Sequence, residues 1–110
     1  MIRAVLLLTL IPMTGQAEMA VQAIRYTCDR GVEVPVVTVI GEADDGIAVL
    51  TADGRQIQLY LEPAASGARY GWPSDGSNHV WWTKGTDATL LWKDGEAKTE
   101  TPILACTEAP

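Results

Sequence analysis

Few side chains in this 110-residue sequence could do chemistry. A nucleophile, a base and an acid could be assembled from Ser66, the single histidine His79 and an aspartate. A triad of that kind works only if the base is held between the other two, and nothing in the sequence around these residues orients them. The adjacent acids Asp44 and Asp45 precede Gly46 in a turn signal. Short acidic side chains there bond to their own backbone more readily than they catalyse. No HExxH, GxSxG or phosphate-cradling glycine pattern occurs. The chain is therefore read as a binding protein and not an enzyme, with no catalytic residue, no metal site and no cofactor.

The residues suited to binding fall in two short blocks. The first is Ser66-Gly67-Ala68-Arg69-Tyr70, preceded by Pro63-Ala64-Ala65. Pro and Gly mark a defined loop of little side-chain bulk. Such a loop lets its backbone approach a partner closely, with the Ser66 hydroxyl as donor and acceptor. Tyr70 offers a rigid ring with a polar end, suited to an interface anchor or to a core position. The second block is Val80-Trp81-Trp82-Thr83-Lys84-Gly85. Neighbouring strand residues face opposite ways, so one tryptophan fills the core while the other supports the surface. Gly85 begins a turn and leaves Lys84 at the strand end, facing solvent. Lys84 is the only Lys or Arg between Tyr70 and Trp92.

The elements that must hold these blocks read as β-strands throughout. Runs at 24–29, 34–40, 47–51, 56–61, 88–93 and 103–107 are separated by turn signals. Ile57, Leu59 and Leu61 alternate with Gln56, Gln58 and Tyr60, the period of a half-buried strand. Asp53-Gly54 joins that strand to the one before it, and Asp94-Gly95 reads as a second tight turn. No convincing helical stripe follows residue 18. The expectation is an all-β domain, a small antiparallel β-barrel of seven to eight strands, favoured over an immunoglobulin-like sandwich.

Residues 1–17 read as a signal peptide. Arg3 is a basic start, Ala4 to Ile11 is an apolar run, and Gly15-Gln16-Ala17 places small residues before Glu18. The run is well short of the roughly 18–20 residues that span a bilayer. A buried N-terminal helix is the alternative. Residues 18–110 are expected to form one exported, periplasmic domain. Its two cysteines, Cys28 and Cys106, suit a disulfide in an oxidising compartment; a metal or redox pair is disfavoured by the lack of CxxC and the single histidine. The formal charge is −6, and losing Arg3 makes it one unit more negative. This balance disfavours nucleic acid and anionic membranes and favours a cationic partner.

Together the two blocks resemble the periplasmic and membrane-bound inhibitors of c-type lysozyme. Ser66, Gly67 and Tyr70 complete a Ser-Gly-x-x-Tyr block, and Thr83, Lys84 and Gly85 a Thr-Lys-Gly block. Tyr26-Thr27-Cys28, Ala88-Thr89-Leu90 and Cys106 also match, so the resemblance spans nearly all of residues 24–106. It implies a small β-barrel whose partner is c-type lysozyme, a basic protein. The Ser-Gly loop would enter the catalytic cleft, Ser66 meeting the acid and Lys84 the carboxylate, with Tyr70 and Thr83 bracing the two loops. The family usually has Tyr where this sequence has His79, and the segment 71–78 is a few residues longer than the family's. Protonation of His79 below about pH 6.5 is expected to alter the second block. No cysteine directly follows the apolar run to carry a lipid, as in the soluble branch. Two other readings compete: a small-ligand barrel lined by the four tryptophans with Trp72 as its gate, and an envelope protein that binds peptidoglycan directly.

Overall fold

Alternating hydrophobicity and short turns produce a sheet that meanders and closes on itself. The computed structural model describes residues 19–43 and 45–110. The expected signal peptide, and Asp44 of the acidic pair, lie outside the described residues. Eight strands follow in chain order: β1 (Ala20–Cys28), β2 (Glu33–Ile40), β3 (Gly46–Ala52), β4 (Arg55–Glu62), β5 (Ala68–Gly71), β6 (Asn78–Lys84), β7 (Asp87–Asp94) and β8 (Thr99–Glu108). A short 3₁₀ turn, Asp29–Gly31, links the first two. Each strand pairs antiparallel with the next, and β8 returns to β1 to close the barrel. The expected all-β barrel is thus present, with its edges removed by closure.

Turn chemistry sets the register. Asp53 and Gly54 both have positive φ, 56° and 75°, the conformation of a type I′ hairpin turn. Ala52 then faces Arg55, and Leu50 faces Ile57. The expected Asp94-Gly95 turn is longer than its sequence implies. The connection runs through Lys98, whose φ is 57° and whose N–H bonds back to the Asp94 carbonyl at 2.8 Å. Asp94 Oδ1 accepts the N–H groups of Glu96 and Ala97. With Asp94 holding the loop open, β8 starts at Thr99, four residues before the apolar run that marked it. Ile103 is the extra residue of a bulge between Leu90↔Leu104 and Leu91↔Pro102. That irregularity accommodates Pro102, which cannot donate to a ladder.

Inward-facing side chains fill the barrel. Val34, Leu50, Leu59, Tyr70, Trp81, Leu90 and Leu104 belong to one buried cluster. Trp81 is fully buried and meets Tyr26 edge-on, ring centroids 5.1 Å apart. Removing roughly 200 Å² of such a side chain from water, at about 25 cal/mol per Å², contributes about 5 kcal/mol at most. The other tryptophans lie elsewhere. Trp82 is only partly buried, on the opposite face of β6; Trp72 stacks at a tilt on Tyr60, and Trp92 meets His79 edge-on. The four tryptophans therefore do not line a common cavity, which removes the structural basis of the ligand-barrel reading.

The seam between β1 and β8 is short. Tyr26, Thr27 and Cys28 pair with Glu108, Thr107 and Cys106. Cys28 and Cys106, directly opposite each other, form the disulfide across 78 residues of sequence. Asp29 Oδ2 accepts the Ala105 N–H at 2.9 Å, and the Ala109 N–H donates to the Arg25 carbonyl at 2.8 Å. The covalent bond thus reinforces one of the briefest ladders of the barrel.

Candidate partner-binding site

The loop after β4 and the end of β6 meet at one end of the barrel. β5 pairs with β6 through Ala68↔Thr83, Arg69↔Trp82 and Tyr70↔Trp81. This register lays the first block alongside the second. One step beyond the ladder, Gly67 has φ +68°. A Cβ there would fall 2.1 Å from the Thr83 carbonyl oxygen and 2.8 Å from Lys84 Cγ. Only glycine tolerates both the dihedral and the contact. Glycine at this position thus lets the loop that carries Ser66 pack against the end of β6 that carries Lys84. Both of these side chains are exposed.

Trp82 links them. Its indole Nε1–H donates to the Ser66 carbonyl at 2.9 Å. The Lys84 ammonium stands 4.4 Å from its ring centroid, within cation–π range. The Arg69 guanidinium stands 5.0 Å from the same ring. Among the described residues Lys84 makes no ion pair, so its charge remains available to an anion. Beside it a groove of about 330 Å³ opens between Trp82, Thr89, Leu91 and Pro102.

Arg69 is held from both sides. Its Nε bonds Glu62, and its two terminal nitrogens form a forked pair with Glu100, one contact at 3.0 Å. The bond from Glu100 raises the guanidinium pKa, with Glu62 acting in the same sense. The Arg69 bond in turn lowers the Glu100 carboxyl below its ordinary range. Sequence reasoning left Arg69 as an unassigned position within the Ser-Gly-x-x-Tyr block. Its parity was the available signal: it alternates with buried Tyr70, so it faces outward beside Trp82.

The remaining expected residues are placed as follows. Thr83 is half-buried, and its hydroxyl donates to the Ala68 carbonyl at 3.4 Å, across the two strands. Tyr70 is only 2% exposed. It stands inside the barrel and offers no ring to a partner, so the interface-anchor reading gives way to a core position, with burial pushing its phenol pKa up.

Residues 26–99, which include both blocks, match the family described as membrane-bound lysozyme-inhibitor of c-type lysozyme, MliC. The chain belongs to this family. An MliC-family relative from Pseudomonas aeruginosa, named membrane-bound lysozyme inhibitor of C-type lysozyme, is 30% identical over 101 residues, covering 89% of this chain and 73% of the relative. The fold is similar to P. aeruginosa MliC in its crystal structure with hen egg white lysozyme. That match has a TM-score of 0.66 and 25% identity, covering 93% of this chain and 96% of that one. A similar match, TM-score 0.66 and 27% identity, is to PliC, a periplasmic lysozyme inhibitor of C-type lysozyme from Salmonella typhimurium, covering 83% of this chain and all of that one.

Within this MliC-family barrel His79 lies near the start of β6, five residues from Lys84, or about 17 Å along a strand. It faces Trp92, and its pKa is lowered by burial first and by Arg55 second, against an opposing effect of Asp53. His79 shares strand β6 with the second block but stands at the opposite end from Lys84, so any influence of its protonation on Lys84 must travel the length of that strand.

Proposed function

We propose that this chain inhibits c-type lysozyme by placing Ser66 and Lys84 in the catalytic cleft. The observation that carries this reading is the close approach of Gly67 to Thr83 and Lys84, which packs the loop that carries exposed Ser66 against the strand end that carries exposed, unpaired Lys84. The glycan-cutting site of a c-type lysozyme holds two carboxyl groups, one protonated in an apolar setting and one ionised. A hydroxyl can donate to or accept from the protonated acid, while an ammonium pairs with the carboxylate. In a water-excluded cleft that charge pair is valuable if its geometry is good, and truncating one member typically costs 2–5 kcal/mol. Thr83 and Tyr70 brace the strands that carry the two loops. The formal negative charge, −6 for the full sequence and one unit more negative without Arg3, speeds docking onto a basic enzyme.

Both cysteines of the sequence are joined to each other, so neither is available to carry a lipid. This supports a periplasmic location, with residues 1–17 as the export signal and 18–110 as the working domain. There the chain protects peptidoglycan by blocking the hydrolase and itself catalyses nothing.

The test is lysis of a cell-wall substrate by a c-type lysozyme while the oxidised, folded chain is titrated in. Saturable loss of lysis with an unaltered substrate supports the reading. Full lysis at every concentration, with several c-type lysozymes, overturns it. Retention of the chain on purified sacculi in the absence of lysozyme would transfer the assignment to direct peptidoglycan binding.

A further inference from the structure

Ser66 lies beyond both ladders that hold its neighbours: β4–β5 pairing ends at Glu62↔Arg69, and β5–β6 pairing ends at Ala68↔Thr83. A loop residue in that position is free to sample other conformations unless something outside the ladders holds it. The structure shows what holds it. The Trp82 N–H bonds the Ser66 carbonyl, so the peptide that carries the Ser66 side chain is tied to the sheet through an indole.

The same indole faces Lys84. A lysine stem has four rotatable bonds, and its ammonium is ordinarily dispersed over many positions. Over the Trp82 ring the ammonium has a preferred place. The indole itself is steadied by its cross-strand neighbour Arg69, whose guanidinium is fixed by Glu62 on β4 and Glu100 on β8. The chain of contacts therefore runs from two carboxylates on distant strands, through Arg69, to one ring that holds both exposed groups of the site.

We infer that Trp82, held by the Glu62–Arg69–Glu100 clasp, is a positioning residue that fixes Ser66 and Lys84 in one arrangement before any partner arrives. Its effect on binding rests on the lysozyme reading above; its effect on the loop does not. Preorganisation of this kind raises the fraction of molecules competent to bind, and apparent affinity scales with that fraction. It acts on the association rate. A direct contact to the partner would act chiefly on dissociation.

Trp82→Phe separates the two. Phenylalanine keeps a ring beneath the cations and removes the indole donor. In the free protein, amide hydrogen exchange at Ser66, Gly67 and Ala68 is expected to quicken about tenfold, while amides of β2 and β3 keep their rates. With lysozyme, the association rate is expected to fall about five- to tenfold with the dissociation rate within twofold of wild type. Arg69→Gln should shift both readouts in the same direction, and Arg69→Lys should restore them only in part, since lysine cannot make the forked bond to Glu100. Unchanged exchange in Trp82→Phe overturns the inference. So does an intact association rate accompanied by faster dissociation. If the wild-type chain inhibits no lysozyme, the functional reading fails alone, and the exchange rates of the free protein decide the positioning role.

Discussion

Gly67 and Thr83 approach so closely that a single methyl group on Gly67 would lie 2.1 Å from the Thr83 carbonyl oxygen. The obstacle is backbone, so neither strand can yield by rotating a side chain. Gly67→Ala is expected to lose at least tenfold in inhibition and about 1–3 kcal/mol in stability, because it adds the clash to the left-handed strain. Gly54→Ala is the control. Gly54 has φ +75° but nothing within 4 Å of an added Cβ, so it should lose about 1 kcal/mol in stability with inhibition intact. Denaturant unfolding and inhibition constants of the two variants check the contrast.

Lys84 presents a charge without an ion-pair partner among the described residues. Lys84→Ala should weaken inhibition at least tenfold, equivalent to about 1.4 kcal/mol, with the melting temperature unchanged within error. An unchanged inhibition constant would remove Lys84 from the mechanism. The proposed charge steering predicts that raising the salt concentration slows association of the wild type more than it speeds dissociation.

The Cys28–Cys106 bond closes nearly the whole described chain into one loop, with a sequence separation of 78. The loop-entropy relation assigns such a closure about 4.5 kcal/mol. The double variant Cys28→Ser, Cys106→Ser should lose about 3–5 kcal/mol in denaturant unfolding. Exchange should rise first at the amides of 26–28 and 106–108, the short seam that the disulfide joins.

Acid should loosen the Arg69 clasp. The Arg69 bond holds the Glu100 carboxyl below its ordinary value of 4.5. Its stabilising effect is therefore complete above that value and is lost as pH falls through the lowered one. Glu100→Gln should be less stable than wild type at pH 7, and the two should converge as pH falls through the lowered Glu100 value. Urea unfolding across pH 3–7 measures the convergence.

His79 acts with the opposite chemistry and in another place. Burial and Arg55 hold its pKa below 6.5, so the unfolded chain takes up a proton that the folded chain resists. The resulting stability is complete above 6.5 and diminishes as pH falls towards the lowered value. His79→Gln should flatten the stability profile just below pH 6.5. The ratio of its inhibition constant to that of the wild type should stay constant from pH 5.5 to 7.5, since His79 and Lys84 lie at opposite ends of β6.

Much of the barrel was legible because local chemistry and global fold agree. Asp53-Gly54 makes the turn its residues favour, the 56–61 alternation is strand β4, and the two cysteines meet across the first and last strands. The misses are places where distant residues decide. β5 has only four residues, two of them Ala68 and Gly71, too short and too weakly patterned to be seen without its neighbours. The β7–β8 loop extends to Lys98 because the Asp94 carboxylate, not the glycine, organises it. Tyr70 could be read as an anchor or a core residue, and only the closed sheet places it inside. The blocks Ser66–Tyr70 and Thr83–Gly85 were visible as residues, but their contact depends on the register of β5 on β6. The Glu62–Arg69–Glu100 clasp joins positions 31 residues apart, beyond any local pattern.

The order of strands also carries a history of assembly. Seven of the eight ladders join neighbours in sequence, so each can zip from its own turn with little loop entropy to overcome. The β1–β8 seam must bring together residues 78 apart, and it offers only a short ladder in return. It is the step that waits for all the others. The two thiols come within reach only once the meander has curled, so oxidation latches a barrel that its hairpins have already shaped.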